Sequence, residues 1–515
     1  MLRMTGQHFD VLLVGGRVAD GSGDEMVAAD VGIRGERVEA VGPLPNAYAD
    51  TVVDCQGLAV APGFIDLHTH AHSPTTGGIV DCSSAENYLR QGVTTIVGGN
   101  CGSGPFPMGK HLRQVEKLSI RQNYACLVGH NVVRKHLELP AEPANPRELS
   151  QMRDAVEQAM TEGAVGVASG YFPQWVSTEE LVAAGNGAGR HGGIYASHIR
   201  DEGAGLLEAV AEAIEVCRDG KVPVQISHMK AWGPSAWDKA DDAIALVAAA
   251  RAEGSRLGGI TADRYPYLAG AGGGWGGFIG PEASKLASER GGVEHLTDRD
   301  IADEVERSVT EHLRSLGGPD AVVLAPWNPE GDIDNKSIAE LAEEWGVTPA
   351  QAAIRVAQRD IEGLAVHYFA MREENLRKYL SQPWMMIASD GAMRPFEQGI
   401  SHPRNYGTFP RVLGKYAREE GLFSIEEAVK KMTSMPAAKI GLKDRGLVAE
   451  GYIADLAVFD PETVRDRATF ENGHQYPVGI PHVLIGGKLA VYDSQSTNAL
   501  LGHVIRGGRE ACIRS

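Results

Sequence analysis

The stretch "APGFIDLHTHAHS", from Ala61 to Ser73, carries an apolar run into three histidines at alternate positions: His68, His70 and His72. Side chains alternate faces along a strand, so these imidazoles point the same way. Other apolar runs also end in chemistry-bearing residues. Cys101 closes "GGNCG", His198 lies in "YASHIRDE", His228 and Lys230 lie in "QISHMK", and Asp390 ends "IASDG". Imidazole, thiolate and carboxylate together suit Zn²⁺ better than an all-oxygen cage does. A catalytic zinc keeps an open position for water and lowers its pKa to about 7, which gives a nucleophile at neutral pH. After Asp390, "HPRNYGTFPRVLG" offers Arg404 and Arg411 as candidates for a bidentate grip on a carboxylate. Lys230 sits two residues past His228 and shares its surroundings. His72 is expected only to border the site, and His111, His295 and His503 receive no role.

Such residues need a scaffold that brings distant strand ends together. Eight strand-like runs are present: "GFIDLHTH", "VTTIVGGNCG", "NYACLVGHN", "AVGVASGYF", "GGIYASHIR", "VPVQISHMK", "GGITADRYPY" and "PWMMIASDG". Amphipathic stretches such as "ELSQMRDAVEQAMTEG" alternate with them. This pattern predicts an α/β fold, a parallel (β/α)₈ TIM-like barrel with some insertion, whose strand ends converge on one face. An open doubly wound sheet is the alternative. The two chain ends read differently, as short strands broken by turns ("FDVLLVGGRVAD", "GYIADLAVFDP", "PHVLIGGKLAVYDS"). They predict a small β-sandwich domain formed by both termini, residues 1–61 plus 436–515, around a barrel at 62–435. The glycine-rich "AGAGGGWGG", Ala269 to Gly277, lacks the strand–GxGxxG–helix context of a phosphate cradle and is expected to be a mobile loop over the site.

The 515 residues are ample for a large core. Lys and Arg total 49 against 67 Asp and Glu, a net charge of −18, which argues against nucleic acid or an anionic membrane as partner. The six cysteines, Cys55, Cys82, Cys101, Cys126, Cys217 and Cys512, form no CxxC pair and fit a reducing compartment. No run approaches the ~20 apolar residues of a membrane helix, and a soluble cytoplasmic protein is expected.

These residues resemble the amidohydrolase superfamily. The longer motifs "GGNCG", "YASHIRDEG", "QISHMKAWG", "DRYPYLAG", "HPRNYGTFPRVLG" and "KMTSMPAAKIGLKDRGLVAEGYIADLAVFD" narrow the likeness to the N-acyl-D-amino-acid deacylases, or D-aminoacylases, from about residue 8 onward. The resemblance implies that Cys101, His198 and His228 hold a tight zinc, with His68, His70 and Asp390 as a weaker partner site. It implies Asp390 as general base and acid. Lys230, one of the tyrosines Tyr265 or Tyr267, and Arg404 would bind the carboxylate of a small N-acylated amino acid. The D preference rests on this likeness alone. "SGYFPQWVSTEEL" and Met229 depart from the family pattern and leave acyl and side-chain preference open. Rival readings are a cyclic-amide hydrolase, which would want a lysine on the fourth strand, a dipeptidase-like enzyme, and a non-catalytic scaffold, which would have lost the ligands.

Overall fold

The computed structural model describes residues 6–72, 78–254, 259–325, 331–359, 364–398 and 402–507, so Cys512 lies outside the described residues. All eight expected barrel strands are present. They are strand 1 (Phe64–Asp66), strand 2 (Val93–Gly98), strand 3 (Asn123–Cys126, resumed at Val128–Gly129) and strand 4 (Gly166–Ser169). Strand 5 (Ile194–Ser197), strand 6 (Val224–Ile226), strand 7 (Thr261–Arg264) and strand 8 (Met385–Ile387) complete the set. Every neighbouring pair is parallel. The barrel closes between strands 8 and 1, where Thr69 bridges Gly391 and the Asp390 amide donates to the His68 carbonyl at 2.9 Å. Closure excludes the open doubly wound sheet.

The period-2 pattern explains how each strand satisfies two environments. Ile65 and Leu67, Ala125 and Leu127, and Ile194 and Ala196 fill one interior cluster with Val97 and Met386. Their neighbours Phe64, Tyr124, Tyr195 and Ile226 face the helical ring. Among those helices, Pro146–Thr161 starts where Asn145 accepts the Arg147 and Glu148 amides and Glu148 reaches back. Its Met152, Val156 and Ala159 form the buried stripe.

Between strands 7 and 8 the chain makes a separate module. A three-stranded antiparallel sheet (Gly270–Gly273, Ala365–Tyr368, Val322–Leu324) packs with helices Gly276–Arg290 and Ala302–Ser315 around its own apolar core. This corrects the expectation for Ala269–Gly277. Gly270–Gly273 is a paired strand and Gly276 opens a helix. The sheet hydrogen bonds offset the entropy cost of fixing glycine.

The β-rich ends form two sheets. One has four strands, including His8–Val14 and Tyr48–Asp54; the other has seven, drawing Arg17–Val18, Val27–Ala28 and Ala59–Pro62 from one end and Leu456–Phe459 through Gln495–Ser496 from the other. Val11, Leu13, Ile33 and Val53 pack against Leu456, Val458 and Leu484 as the sandwich core. Residue 435 falls inside the helix Ser434–Lys439, whose Lys439 donates to the carbonyls of Val224 and Gly259 beneath the barrel. Residues 502–507 also return to the barrel, along Ile120, Tyr124 and Gly163. No helix among the described residues is long and apolar enough to cross a membrane. The described cysteines are all free thiols.

Candidate metal centre and its cavity

Cys101, His228 and Asp390 all stand just past strand ends with φ of 53°, 37° and 51°. Side-chain-bearing residues rarely adopt that region, at a cost of order 1–3 kcal/mol each, and they keep it only where the surroundings over-determine them. Local sequence explains how. In "GGNCG", Gly99 (φ 90°) has no room for a Cβ, which would lie 2.0 Å from the Leu127 carbonyl oxygen. Asn100 then ties the turn to the Leu67 and Val97 carbonyls at 3.1 Å each. The turn presents Cys101 to the barrel mouth.

There Cys101 Sγ lies 3.6 Å from His198 Nδ1, 3.6 Å from His228 Nε2 and 3.4 Å from His68 Nε2. A tetrahedral zinc with ordinary Zn–S and Zn–N bonds separates sulfur from nitrogen by about 3.6 Å. The donor set therefore fits a zinc ion. Beside it, Asp390 Oδ1 lies 3.0 Å from His70 Nε2 and 3.4 Å from His68 Nε2, and donor atoms of His68, His228 and Asp390 also cluster within 4.8 Å. Strand 4 ends in Ser169 and Gly170, with no lysine to bridge two ions.

The electrostatics favour ligand forms. Burial disfavours the Cys101 thiolate, but His68, His198 and His228 outweigh it and hold the thiol well below its usual range. Burial likewise opposes ionised Asp390, but Arg404, His68 and His228 hold its carboxyl well below the ordinary value. Arg404 donates to Asp390 Oδ2 at 2.7 Å. His72 differs from its neighbours. The Gly99 amide donates to its Nδ1 at 2.7 Å and its Nε2 meets Ser103 Oγ at 2.8 Å. Burial pushes it down to about 3, so it is a neutral bordering residue.

Two carboxylates to which sequence reading gave no role orient the imidazoles. Asp263, on strand 7, faces His68 Nδ1 at 3.1 Å and accepts the His228 amide at 2.8 Å. Glu202, four residues past His198, lies 2.9 Å from His228 Nδ1 and pairs with Lys230. Histidine ligands usually have such partners on the second ring nitrogen, so a carboxylate near each strand end was the available signal.

A cavity of about 570 Å³ opens from His198, His228 and Asp390 toward the inserted module. Lys230, Tyr265 and Arg404 line it. The guanidinium carbons of Arg264 and Arg404 stand over the Tyr265 ring, at 4.3 Å and 5.0 Å from its centroid. Tyr267 and Arg411 are turned elsewhere. Tyr267 donates to Asp466 at 3.0 Å, Arg411 donates to the same carboxylate at 2.9 Å, and neither lines the cavity.

Residues 305–491 match the model of the amidohydrolase family. The chain is 33% identical to a D-aminoacylase of Alcaligenes xylosoxydans xylosoxydans, over 98% of this chain and 99% of that protein. It is 34% identical to an N-acyl-D-glutamate deacylase of the same organism, over 98% of each. It also superposes on the crystal structure of the N-acyl-D-glutamate deacylase of Bordetella bronchiseptica, complexed with zinc and a phosphonate inhibitor, with a TM-score of 0.79 and 28% identity over 97% of this chain and all of that one. Full-length identity to deacylases, together with a closed barrel whose mouth gathers the expected donors, shows that the chain is a metal-dependent amidohydrolase belonging to the N-acyl-D-amino-acid deacylase (D-aminoacylase) family.

Proposed function

We propose that the protein hydrolyses the linear amide of N-acyl-D-amino acids, releasing a D-amino acid and a carboxylate. The observation that carries this reading is the spacing of Cys101 Sγ from His198 and His228, 3.6 Å to each, beside the Asp390 carboxylate. Cys101, His198 and His228 would hold one zinc tightly, and His68, His70 and Asp390 a second, weaker one. Bound there, the metal supplies a Lewis acid and lowers the pKa of water.

The remaining work falls to side chains. Asp390 is oriented from both sides, by His70 at Oδ1 and Arg404 at Oδ2. It accepts the proton of the attacking water and returns it to the leaving nitrogen. Lys230, Tyr265 and Arg404 bind the substrate's free carboxylate, and of the two tyrosines Tyr265 is the one that lines the cavity. We further assign the sandwich to residues 1–61 and 436–515, the barrel to 62–435, and the reaction to the cytoplasm, in line with the free thiols and the acidic surface.

The test is amine release from paired N-acetyl-D- and N-acetyl-L-amino acids, with zinc-loaded enzyme and Asp390→Asn as blank. Release from the D series only, absent in the blank, is expected. No release from either series, with zinc bound, would remove this assignment and favour cyclic amides or dipeptides.

A further inference from the structure

Strand 4 brings no imidazole, thiol or carboxylate to the barrel mouth; it ends at Ser169, and Gly170 follows. Gly170 nevertheless reaches the metal centre. A Cβ there would lie 2.6 Å from the His198 Cβ and 3.1 Å from the Cys101 Cα, so its bare backbone is the surface against which both residues rest.

His198 has particular need of such a surface. His68 and His228 each face a carboxylate through the second ring nitrogen, Asp263 and Glu202. Among the described residues the His198 ring meets only Cys101 by hydrogen bond, through Nδ1. Its other neighbours are the Tyr171 and His228 rings, with centroids 4.2 and 4.5 Å away. A ligand ring without a carboxylate behind it takes its orientation from the backbone beside it. That backbone belongs to strand 4, since the His198 amide also donates to the Ser169 carbonyl at 3.0 Å.

The Cys101 turn is seated just as closely. A Cβ at Gly104 would lie 2.1 Å from the Leu127 carbonyl oxygen, and one at Gly129 would lie 2.4 Å from that of Gly102. Turn and strand 3 therefore touch backbone to backbone. A Cβ at Gly102 (φ 76°) would lie 3.0 Å from the Gly170 nitrogen and 3.0 Å from Asn131 Nδ2. Asn131 is thus the side chain that reaches the junction of the Cys101 turn with the end of strand 4.

Asn131 is itself held from behind. Its Nδ2 donates to the Gly170 carbonyl at 2.7 Å, and its Oδ1 lies 3.1 Å from His130 Nδ1. His130 Nε2 lies 2.8 Å from Glu180 Oε1, and Arg134 pairs with Glu180 Oε2. His130 and Glu180 are fully buried. Burial opposes the ionised Glu180, but His130 and Arg134 hold its carboxyl below the ordinary value. The Arg134 guanidinium carbon also stands 4.3 Å from the Trp175 ring centroid. A buried polar network whose members are paired is rigid. Neither Asn131 nor His130 lines the cavity, so this network meets the metal ligands and not the substrate.

We infer that Asn131 is a positioning residue for the metal centre: anchored by the buried His130–Glu180 pair, it fixes Gly170, and Gly170 sets the spacing of Cys101 from His198. Strand 4 thereby serves the site through a peptide group instead of a donor side chain. This inference rests on the reading of Cys101, His198 and His228 as zinc ligands.

The experiment uses the zinc enzyme and its cobalt-substituted form, in wild type, Asn131→Leu, Asn131→Asp and Met152→Ala. Leucine keeps the bulk of asparagine without its hydrogen bonds. Aspartate keeps the shape but sets an acceptor against the Gly170 carbonyl, and it carries the test should the leucine variant not fold. Met152→Ala, in the buried stripe of Pro146–Thr161, controls for general loss of stability. Competition with a chromophoric chelator should show zinc held roughly tenfold or more weakly in both Asn131 variants. In their cobalt forms the visible bands should shift and the thiolate-to-metal charge-transfer band should weaken, because the donors are respaced. Met152→Ala should match wild type in both readouts. An unmoved cobalt spectrum in the Asn131 variants overturns the inference whatever the affinity, and so do equal changes in Met152→Ala; both results leave the metal site and the deacylase reading intact. A wild type that takes up neither zinc nor cobalt overturns the metal reading, and this inference with it.

Discussion

Asp263 Oδ1 lies 3.1 Å from His68 Nδ1, which makes this buried carboxylate the group that sets the orientation of an imidazole on the opposite side of the barrel seam. With Nδ1–H directed at Asp263, His68 turns Nε2 to Cys101 and Asp390. Losing such a partner commonly costs 10–100-fold in metal affinity. Asp263→Asn should weaken zinc binding by about that factor, read by competition with a chromophoric chelator; unchanged affinity would show that packing alone holds the ring.

Gly170 sits between Cys101 and His198, two of the proposed zinc ligands. A Cβ there would lie 2.6 Å from the His198 Cβ and 3.1 Å from the Cys101 Cα. Gly170→Ala should separate the pair and lower zinc occupancy, with a stability loss of about 1–3 kcal/mol from overpacking. Metal analysis after dialysis, beside a denaturant melt, separates the two effects.

Arg404 works on Asp390 through charge. Its guanidinium helps hold that carboxyl low, so Arg404→Ala should raise the Asp390 pKa and move the acidic limb of the pH–rate profile to higher pH. A loss of about 10²-fold in kcat/KM is expected at neutral pH, within the range for proton-transfer catalysis. Arg404→Lys should recover the limb better than the rate, because lysine lacks the planar fork. An unmoved limb in both variants would detach Arg404 from Asp390.

His72 should be dispensable for metal. Its ring nitrogens are occupied by the Gly99 amide and Ser103. Zinc stoichiometry of His72→Gln should match wild type, whereas that of His228→Gln should fall.

Lys439 gives stability a pH dependence. Burial pushes its amine down to about 7 from an ordinary 10.5, while it donates to the carbonyls of Val224 and Gly259. Between pH 7 and 10.5 the unfolded chain binds more protons than the native one, so this residue makes stability rise with pH across that window. The melting-temperature difference, wild type minus Lys439→Met, should increase from pH 7 to pH 9.5; a flat difference would mean that the amine stays charged when folded.

The barrel was legible because its strands repeat one pattern eight times, and because Cys101, His198, His228 and Asp390 each follow an apolar run directly. Asp263 and Glu202 escaped notice since a carboxylate beside a strand end is ordinary until its distance to an imidazole is known. The glycine-rich stretch misled for a related reason. Composition reports the freedom of Gly270 and Gly272 but not the Trp232 and Tyr368 rings that require them. Tyr265 and Tyr267 are alike in sequence, and only Asp466, 199 residues from Tyr267, draws that hydroxyl away. The module around Phe278 and Val366 has a core of its own, which periodicity cannot distinguish from more of the barrel ring.

The barrel seam has a consequence for how activity first arises. His70 and Asp390 are 320 residues apart along the chain, yet they meet where strand 8 locks onto strand 1. The strand Ala59–Pro62 likewise pairs with Leu456–Phe459, near the other end. Contacts so distant in sequence form late and slowly. A nascent chain on the ribosome will display His68, His70, His198 and His228 before Asp390 is made, so under the proposed mechanism unfinished or truncated copies are catalytically silent.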